Sequence, residues 1–417
     1  MNPFYKTGLR IGLISYRSNP HCGGQGVYVR NLSQALSDLG HRVEIIAGPP
    51  DPLVNAQVNL TMLETLDLYN PENLFRTPKI EELKDPVNLI EWLDICLMGY
   101  PEPMTFGMRA KRYMKGRIKN YDIIHDNQSL SYGVLSMARD LPVTATIHHP
   151  MTVDRRLAVK AAGSFLKKLQ ALRWYSFIGM QKRVARQIPS LITVSNSSRA
   201  DIAKEFKIPA SRLKTVPIGI DLDHFFPLDH IKKIPGRLIV TNSADTPLKG
   251  LYHLLHAVKG VLKYKDLSLT VIGTPKKNGG IERLVKTLDL GRHINFTGRI
   301  DHQQFVLEYA KAQIAVVPSM YEGFGLPVGE AMACRVPVIS TTGGALPEVA
   351  GDAAKLVPPG DAKALETAII ELLDDEKQRE ALACRGYDRV TTEFTWEKCA
   401  TRTARIYRKV INDYHGL

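Results

Sequence analysis

Two glutamates, Glu322 and Glu330, have seven residues between them and enclose the turn Gly323-Phe324-Gly325-Leu326-Pro327. An apolar run at 314–317 and Pro318-Ser319 precede them, and Ala331-Met332-Ala333 follows. The block therefore reads as strand, loop and helix, with Pro327 in the first helical turn. Glycine lets backbone approach a ligand, and the free N–H groups of a helix start, here around Phe324–Leu326, face it. Carboxylates accept hydrogen bonds from pairs of neighbouring hydroxyls, and amides donate to hydroxyl or phosphate oxygen. A sugar nucleotide needs both kinds of group together. The competing reading is two solvated glutamates around a helix cap.

Three further loops carry candidate chemistry. His21-Cys22-Gly23-Gly24-Gln25-Gly26 follows an apolar run and precedes a helical pattern. Amides at such a helix start attract anions. A nicotinamide or flavin fingerprint would require glycine where Val29 stands, and an acid where Ala47-Gly48-Pro49 stands, so a dinucleotide site is disfavoured. Lys249, in Pro247-Leu248-Lys249-Gly250, reads from its neighbours as a helix-start residue. His148 and His149 follow the buried-strand candidate 143–147, and Asn127 and Gln128 follow another at 122–125.

Strands and helices alternate around these loops. Strands are expected at 10–16, 42–47, 122–125, 143–147 and 191–195, and again at 237–242, 267–273, 293–298, 313–318 and 337–340. Ser197 and Ser198 are expected to cap the helix after 191–195. Helices are expected from 29 to a stop at Gly40, at 250–263 and at 302–312, with one or two more within 155–186. This alternation implies an α/β protein of two doubly wound parallel sheets facing across a cleft. The expected boundaries are 1–220 and 221–395, with a linker at 216–234 and a final helix near 396–417 crossing back to the first domain.

The 417 residues exceed what one core usually supports, and 44% apolar content fits a globular chain. Five scattered cysteines without a C-x-x-C pair argue against a disulfide framework or zinc site and suit a reducing, cytoplasmic setting. No spanning helix or signal peptide is expected. The net charge of +13 is uneven: residues 1–220 hold 29 basic and 18 acidic side chains, against 26 and 24 in the remainder. Residues 51–102 are acidic, whereas 103–119 carry six bases and 155–186 carry nine, both without an acid. The second basic segment is interleaved with Phe165, Leu166, Leu169, Leu172 and Trp174. Such segments suit an anionic membrane surface or a solvated helix face. No nucleic-acid-binding module is recognisable, so no nucleic-acid partner is expected.

The Glu322–Glu330 spacing resembles the E-x7-E motif of retaining GT-B glycosyltransferases of family 4. The likeness continues through PSMYEGFGLPVGEAMACRVPVIS, TTGGALPEV and LVPPGD, over roughly residues 310–361. Shorter likenesses are GGQG near the start, YDIIH at 121–125, TIHH at 146–149, VPIGID at 216–221 and PLKG at 247–250. By that resemblance, Glu330 holds the nucleotide ribose and Glu322 the donor sugar. The amides of Gly323, Phe324, Gly325 and Leu326 lie against sugar and phosphate, and Lys249 neutralises the pyrophosphate. His148 stands near the donor hexose, and Gly24 and Gly26 approach the donor phosphate. The family's usual arginine is replaced near Ala244 and Asp245, with Arg299 as a substitute cation. Asn127, Gln128 and His149 are assigned to the acceptor side.

The implied activity is retaining, metal-independent transfer of a hexose from a nucleotide-diphosphate sugar to a glycan or lipid-linked hydroxyl. It needs no other cofactor. The alternatives are a glycoside hydrolase using the two glutamates, and a non-catalytic sugar-nucleotide-binding or membrane-docking protein of the same fold.

Overall fold

The structure, a computed structural model, describes residues 8–18, 24–70, 72–241 and 246–417. It forms two compact units, Met1–Pro217 with Trp396–Leu417, and Ile218–Thr395.

The first unit holds a seven-stranded sheet. Its strands are β1 (Arg10–Ser15), β2 (Arg42–Ala47), β3 (Asn59–Met62), β4 (Ile123–Asn127), β5 (Val143–Ile147), β6 (Leu191–Thr193) and β7 (Leu213–Thr215). All pairings are parallel, in the order β3-β2-β1-β4-β5-β6-β7. Helix α1 (Gly24–Asp38) leads from β1 to β2, and α2 (Pro86–Cys96) and α3 (Glu102–Met114) lead from β3 to β4. Helix α4 (Tyr132–Met137) follows β4, and α8 (Asn196–Phe206) follows β6. Between β5 and β6 lie three helices, α5 (Thr152–Ala161), α6 (Phe165–Trp174) and α7 (Ile178–Ala185), one more than the sequence suggests.

Ile14, Ile124 and Ile147 of the sheet pack with Phe106, Val134, Val184 and Ile202 of the helices, and β4 and β5 are buried along their whole length, polar residues included. The cap of α8 is Ser195, whose hydroxyl accepts from the Ser198 N–H at 3.0 Å, rather than Ser197 or Ser198. Strand β6 stops two residues early and frees Ser195 for that role.

The second unit repeats the plan with β8 (Arg237–Thr241), β9 (Ser268–Ile272), β10 (Ile294–Phe296), β11 (Ile314–Val317), β12 (Val338–Thr341) and β13 (Ala354–Val357). Its order is β10-β9-β8-β11-β12-β13, again all parallel. Its helices are α9 (Leu251–Val261), α10 (Gly280–Thr287), α11 (His302–Lys311), α12 (Leu326–Ala333), α13 (Leu346–Ala350), α14 (Ala362–Asp374) and α15 (Glu376–Glu393). Helix α16 (Trp396–His415) belongs to the first unit, where it packs on α1 and β5. Most of the segment read as a linker is part of the second unit. Phe225 is buried there against Phe305 and Tyr309, and the Ile234 N–H donates to Lys311 O.

In each sheet the strand order reverses beside the first strand, between β1 and β4 and between β8 and β11. Doubly wound folds bind ligands beyond the carboxyl ends of the strands at such points.

Candidate functional site

In the second unit, the loops leaving β8 and β11 meet at the reversal. The Met320 N–H donates to Leu248 O at 2.7 Å. Gly250 has φ +70°, and a Cβ there would overlap Pro318 O, so glycine permits the close approach. This contact fixes Lys249 beside Glu322. Lys249 Nζ donates to Glu322 Oε1 at 2.7 Å, and Ser319 Oγ donates to the same oxygen at 2.8 Å. The loop after β12 supports the Glu322 backbone. The Ala345 N–H donates to Glu322 O at 2.9 Å, and Thr341 Oγ1 donates to Ser319 O at 2.5 Å.

Glu330 lies one turn inside α12. Burial, reinforced by Asp221 and Glu322 and opposed by Lys249, pushes its carboxyl up to about 7. Gly325, at φ +113°, precedes α12, and Pro327 occupies its first turn. Phe324 is buried edge-on against Phe394, with ring centres 5.6 Å apart, which anchors the turn. The amides of Gly325 and Leu326 therefore lead a helix start, beside two carboxylates and a lysine. That set can accept hydroxyl protons, donate to phosphate oxygen and balance negative charge. Arg299 follows the edge strand β10 and is exposed, two strands from β8, so Lys249 is the cation the fold brings to Glu322. Residues 244 and 245 lie outside the described residues, as do 21–23.

In the first unit, His148 follows β5 and is 9% exposed. Asn127 Nδ2 donates to Ser15 Oγ at 3.1 Å, so Asn127 Oδ1 accepts from His148 Nε2 at 2.8 Å. This network assigns the proton to Nε2 and leaves Nδ1 an acceptor. Burial, with His149 and His125 nearby, lowers the His148 pKa to about 3. The Tyr28 ring meets the imidazole edge-on at 4.8 Å.

Gln128 clasps the same loop. Its Oε1 accepts from the His148 N–H at 2.7 Å, and its Nε2 donates to His149 O at 3.3 Å. Expected on the acceptor side, Asn127 and Gln128 are instead buried, and their side chains hold His148 from within. His149 bonds Asp154 at 3.0 Å. Gly24 and Gly26 occupy the first turn of α1.

Ser319, Asp221 and Tyr28 complete these clusters without having been anticipated. Ser319 stands three residues before Glu322, but its pairing with that carboxylate follows only from the folded loop. Among the described residues, no three His, Cys, Asp or Glu side chains gather as a metal site.

The basic segments differ. In 103–119, Arg109 is buried and pairs with Glu91 at 2.5 Å, while Arg112 pairs with Asp85 at 2.6 Å. The acidic stretch before α3 thus consumes part of the expected basic surface. In 155–186, α6 buries none of its side chains. Phe165 is 73% and Leu166 71% exposed, beside exposed Lys167 and Lys168. No helix among the described residues is long and apolar enough to cross a membrane.

The chain belongs to the nucleotide-sugar glycosyltransferases of family 4, with the GT-B fold. Residues 22–224 match the family model described as Glycosyltransferase Family 4, and residues 230–389 match Glycosyl transferases group 1. The chain is 42% identical to an MMP alpha-(1->4)-mannosyltransferase of Mycolicibacterium hassiacum, over 97% of this chain and 98% of that one. Over 46% of its length it is 32% identical to a GDP-mannose-dependent monoacylated alpha-(1-6)-phosphatidylinositol monomannoside mannosyltransferase of Corynebacterium glutamicum, covering 55% of that protein. The solved sucrose-phosphate synthase of Thermosynechococcus elongatus shares the fold, with a TM-score of 0.75 and 25% identity over 97% of this chain and 100% of that one.

Proposed function

We propose that the chain is a retaining α-mannosyltransferase that moves mannose from a nucleoside-diphosphate sugar, GDP-mannose, to the 4-hydroxyl of a glycan. The observation that carries this reading is the Lys249–Glu322 pair beside Glu330 at the point of strand reversal. The 42% identity to an α-(1→4)-mannosyltransferase supports the sugar and the linkage.

Glu330 accepts the ribose hydroxyls and Glu322 the sugar hydroxyls. The ammonium of Lys249 balances charge developing on the departing diphosphate, and the amides of Gly325 and Leu326 donate to it. The acceptor oxygen bonds the anomeric carbon on the face the diphosphate leaves. The carbon–oxygen bond to phosphate breaks, and the phosphate oxygen takes the acceptor proton. Neutral His148 orients the hexose through Nδ1, and no metal is required. Positioning and fixed charge supply the catalysis, without a protein nucleophile.

A panel of GDP-, UDP- and ADP-sugars scored by thermal shift tests the donor. Binding at a hundred dissociation constants stabilises by about 2.7 kcal/mol, so GDP-mannose should stand apart. An equal shift with UDP-glucose would refute the choice.

The face of α6 favours a second partner, an anionic lipid surface met from the cytoplasm. Phe165 and Leu166 would enter the interface while Lys167 and Lys168 meet lipid phosphate. Vesicles rich in anionic phospholipid should retain the chain at low salt, and Phe165→Ser with Leu166→Ser should release it. Equal retention of both proteins would exclude this face.

A further inference from the structure

We propose that Tyr69, Tyr100 and Trp174, with Arg17 and Glu102, form a subsite of the first unit for an outer sugar ring of a glycan acceptor. The inference rests on the reading of the acceptor as a glycan. All five residues lie toward the carboxyl ends of the strands. Arg17 follows β1, Tyr69 follows β3, Tyr100 precedes α3, Glu102 opens it and Trp174 ends α6.

Short links join this cluster to His148. Ser15 Oγ donates to Arg17 O at 3.1 Å and accepts from Asn127, which in turn accepts from His148. The subsite therefore sits a few residues from the loop that carries His148.

The three rings form one aromatic corner. Tyr100 and Trp174 are 5.1 Å apart at 33°, and Tyr69 stands edge-on to Trp174 at 6.1 Å and 87°. Arg17 lies over the Tyr69 ring at 5.2 Å. Polar groups edge the corner: Tyr100 Oη donates to Glu102 Oε2 at 2.5 Å, and Arg17 approaches the same carboxylate at 3.7 Å. Tyr100 and Trp174 keep part of their surface open.

Tyr69 supplies an independent sign. It is 8% exposed, and its hydroxyl is buried without a hydrogen-bond partner. Phenylalanine would pack the same ring without stranding a polar atom. A ligand hydroxyl would complete it.

A pyranose ring matches these groups. Its C–H face suits aromatic surface, and its hydroxyls suit the phenols, the guanidinium and the carboxylate. An acyl chain would leave the Tyr69 hydroxyl unpaired, and a phosphate would meet Glu102.

Calorimetric titration of the full chain with an α-(1→4)-linked mannotetraose tests the subsite. The tetraose should bind, Tyr69→Phe should weaken it about fivefold, and Trp174→Ala should weaken it more. GDP affinity should stay unchanged in both variants. No tetraose binding by the native chain, or equal binding by the Tyr69→Phe variant, would overturn the proposal. Tetraose binding without transfer from GDP-mannose would leave the subsite standing and refute the mannosyltransferase reading. Transfer with equal tetraose binding by native and Tyr69→Phe protein would refute the subsite alone.

Discussion

Lys249 Nζ lies 2.7 Å from Glu322 Oε1, joining the loop after β8 to the loop after β11 where the strand order reverses. A charge-assisted bond at that point holds a cation and a carboxylate side by side, as the proposed mechanism requires for the adjoining diphosphate and sugar of one donor. Lys249→Ala removes the charge on the leaving side and leaves Glu322 without its cationic partner. Its transfer rate should fall by about 10²–10³, the scale of losing one fixed electrostatic group. Steady-state kinetics with Glu322→Gln should show a comparable fall. Near-native rates in both would remove the pair from catalysis.

His148 should act as a neutral group. Its pKa, lowered to about 3 by burial, leaves the imidazole uncharged above about pH 5, so it should add no limb to the rate profile between pH 5 and 8. Asn127→Ala removes the acceptor for Nε2 and frees the ring. It should lower kcat about tenfold, in proportion to one lost positioning hydrogen bond of about 1.4 kcal/mol. A pH–rate profile of both proteins checks the two expectations together.

Glu330 should govern the pH dependence of donor binding. Burial raises its pKa to about 7, and only the ionised form accepts from both ribose hydroxyls. Below that value, donor affinity should fall by up to about tenfold per pH unit, and above it affinity should level off. Glu330→Gln should bind donor more weakly and with a flat profile. In the unliganded chain the sign is opposite. The raised pKa contributes stability at low pH, which is lost as pH rises from about 4.5 through about 7. Thermal melts should therefore fall across pH 6–7.5 without donor and stay level with saturating GDP-mannose.

Gly344 tests the scaffold rather than the chemistry. It has φ +65°, and a Cβ there would overlap the Glu322 backbone. Gly344→Ala should cost about 1–3 kcal/mol of stability and displace Glu322. Tm and activity should fall together, and an active variant of native stability would contradict the tight packing of the two loops.

The sequence carried the sheets and the donor loop because both are local signals. The apolar runs gave β2 and β5 at their observed bounds, and glycine, proline and glutamate marked the turn before α12. Strands β3, β7 and β13 escaped because they are short edge strands, mostly half-buried, whose apolar residues are interrupted by Thr61, Lys214 and Lys355. Long-range partnership was not legible. Asn127 and Gln128 looked like open loop residues, yet they turn inward to hold His148 from twenty residues away. The buried ion pair of Arg109 with Glu91 likewise depends on α2 lying beside α3.

Product stereochemistry tests the central claim most directly. The chain, GDP-mannose and an α-(1→4)-linked mannotetraose should give GDP and a pentaose, with NMR of the new anomeric centre reporting the linkage. The account predicts one new α-(1→4) bond per GDP released. A β-linked product would contradict retention, and GDP release without a longer glycan would contradict transfer.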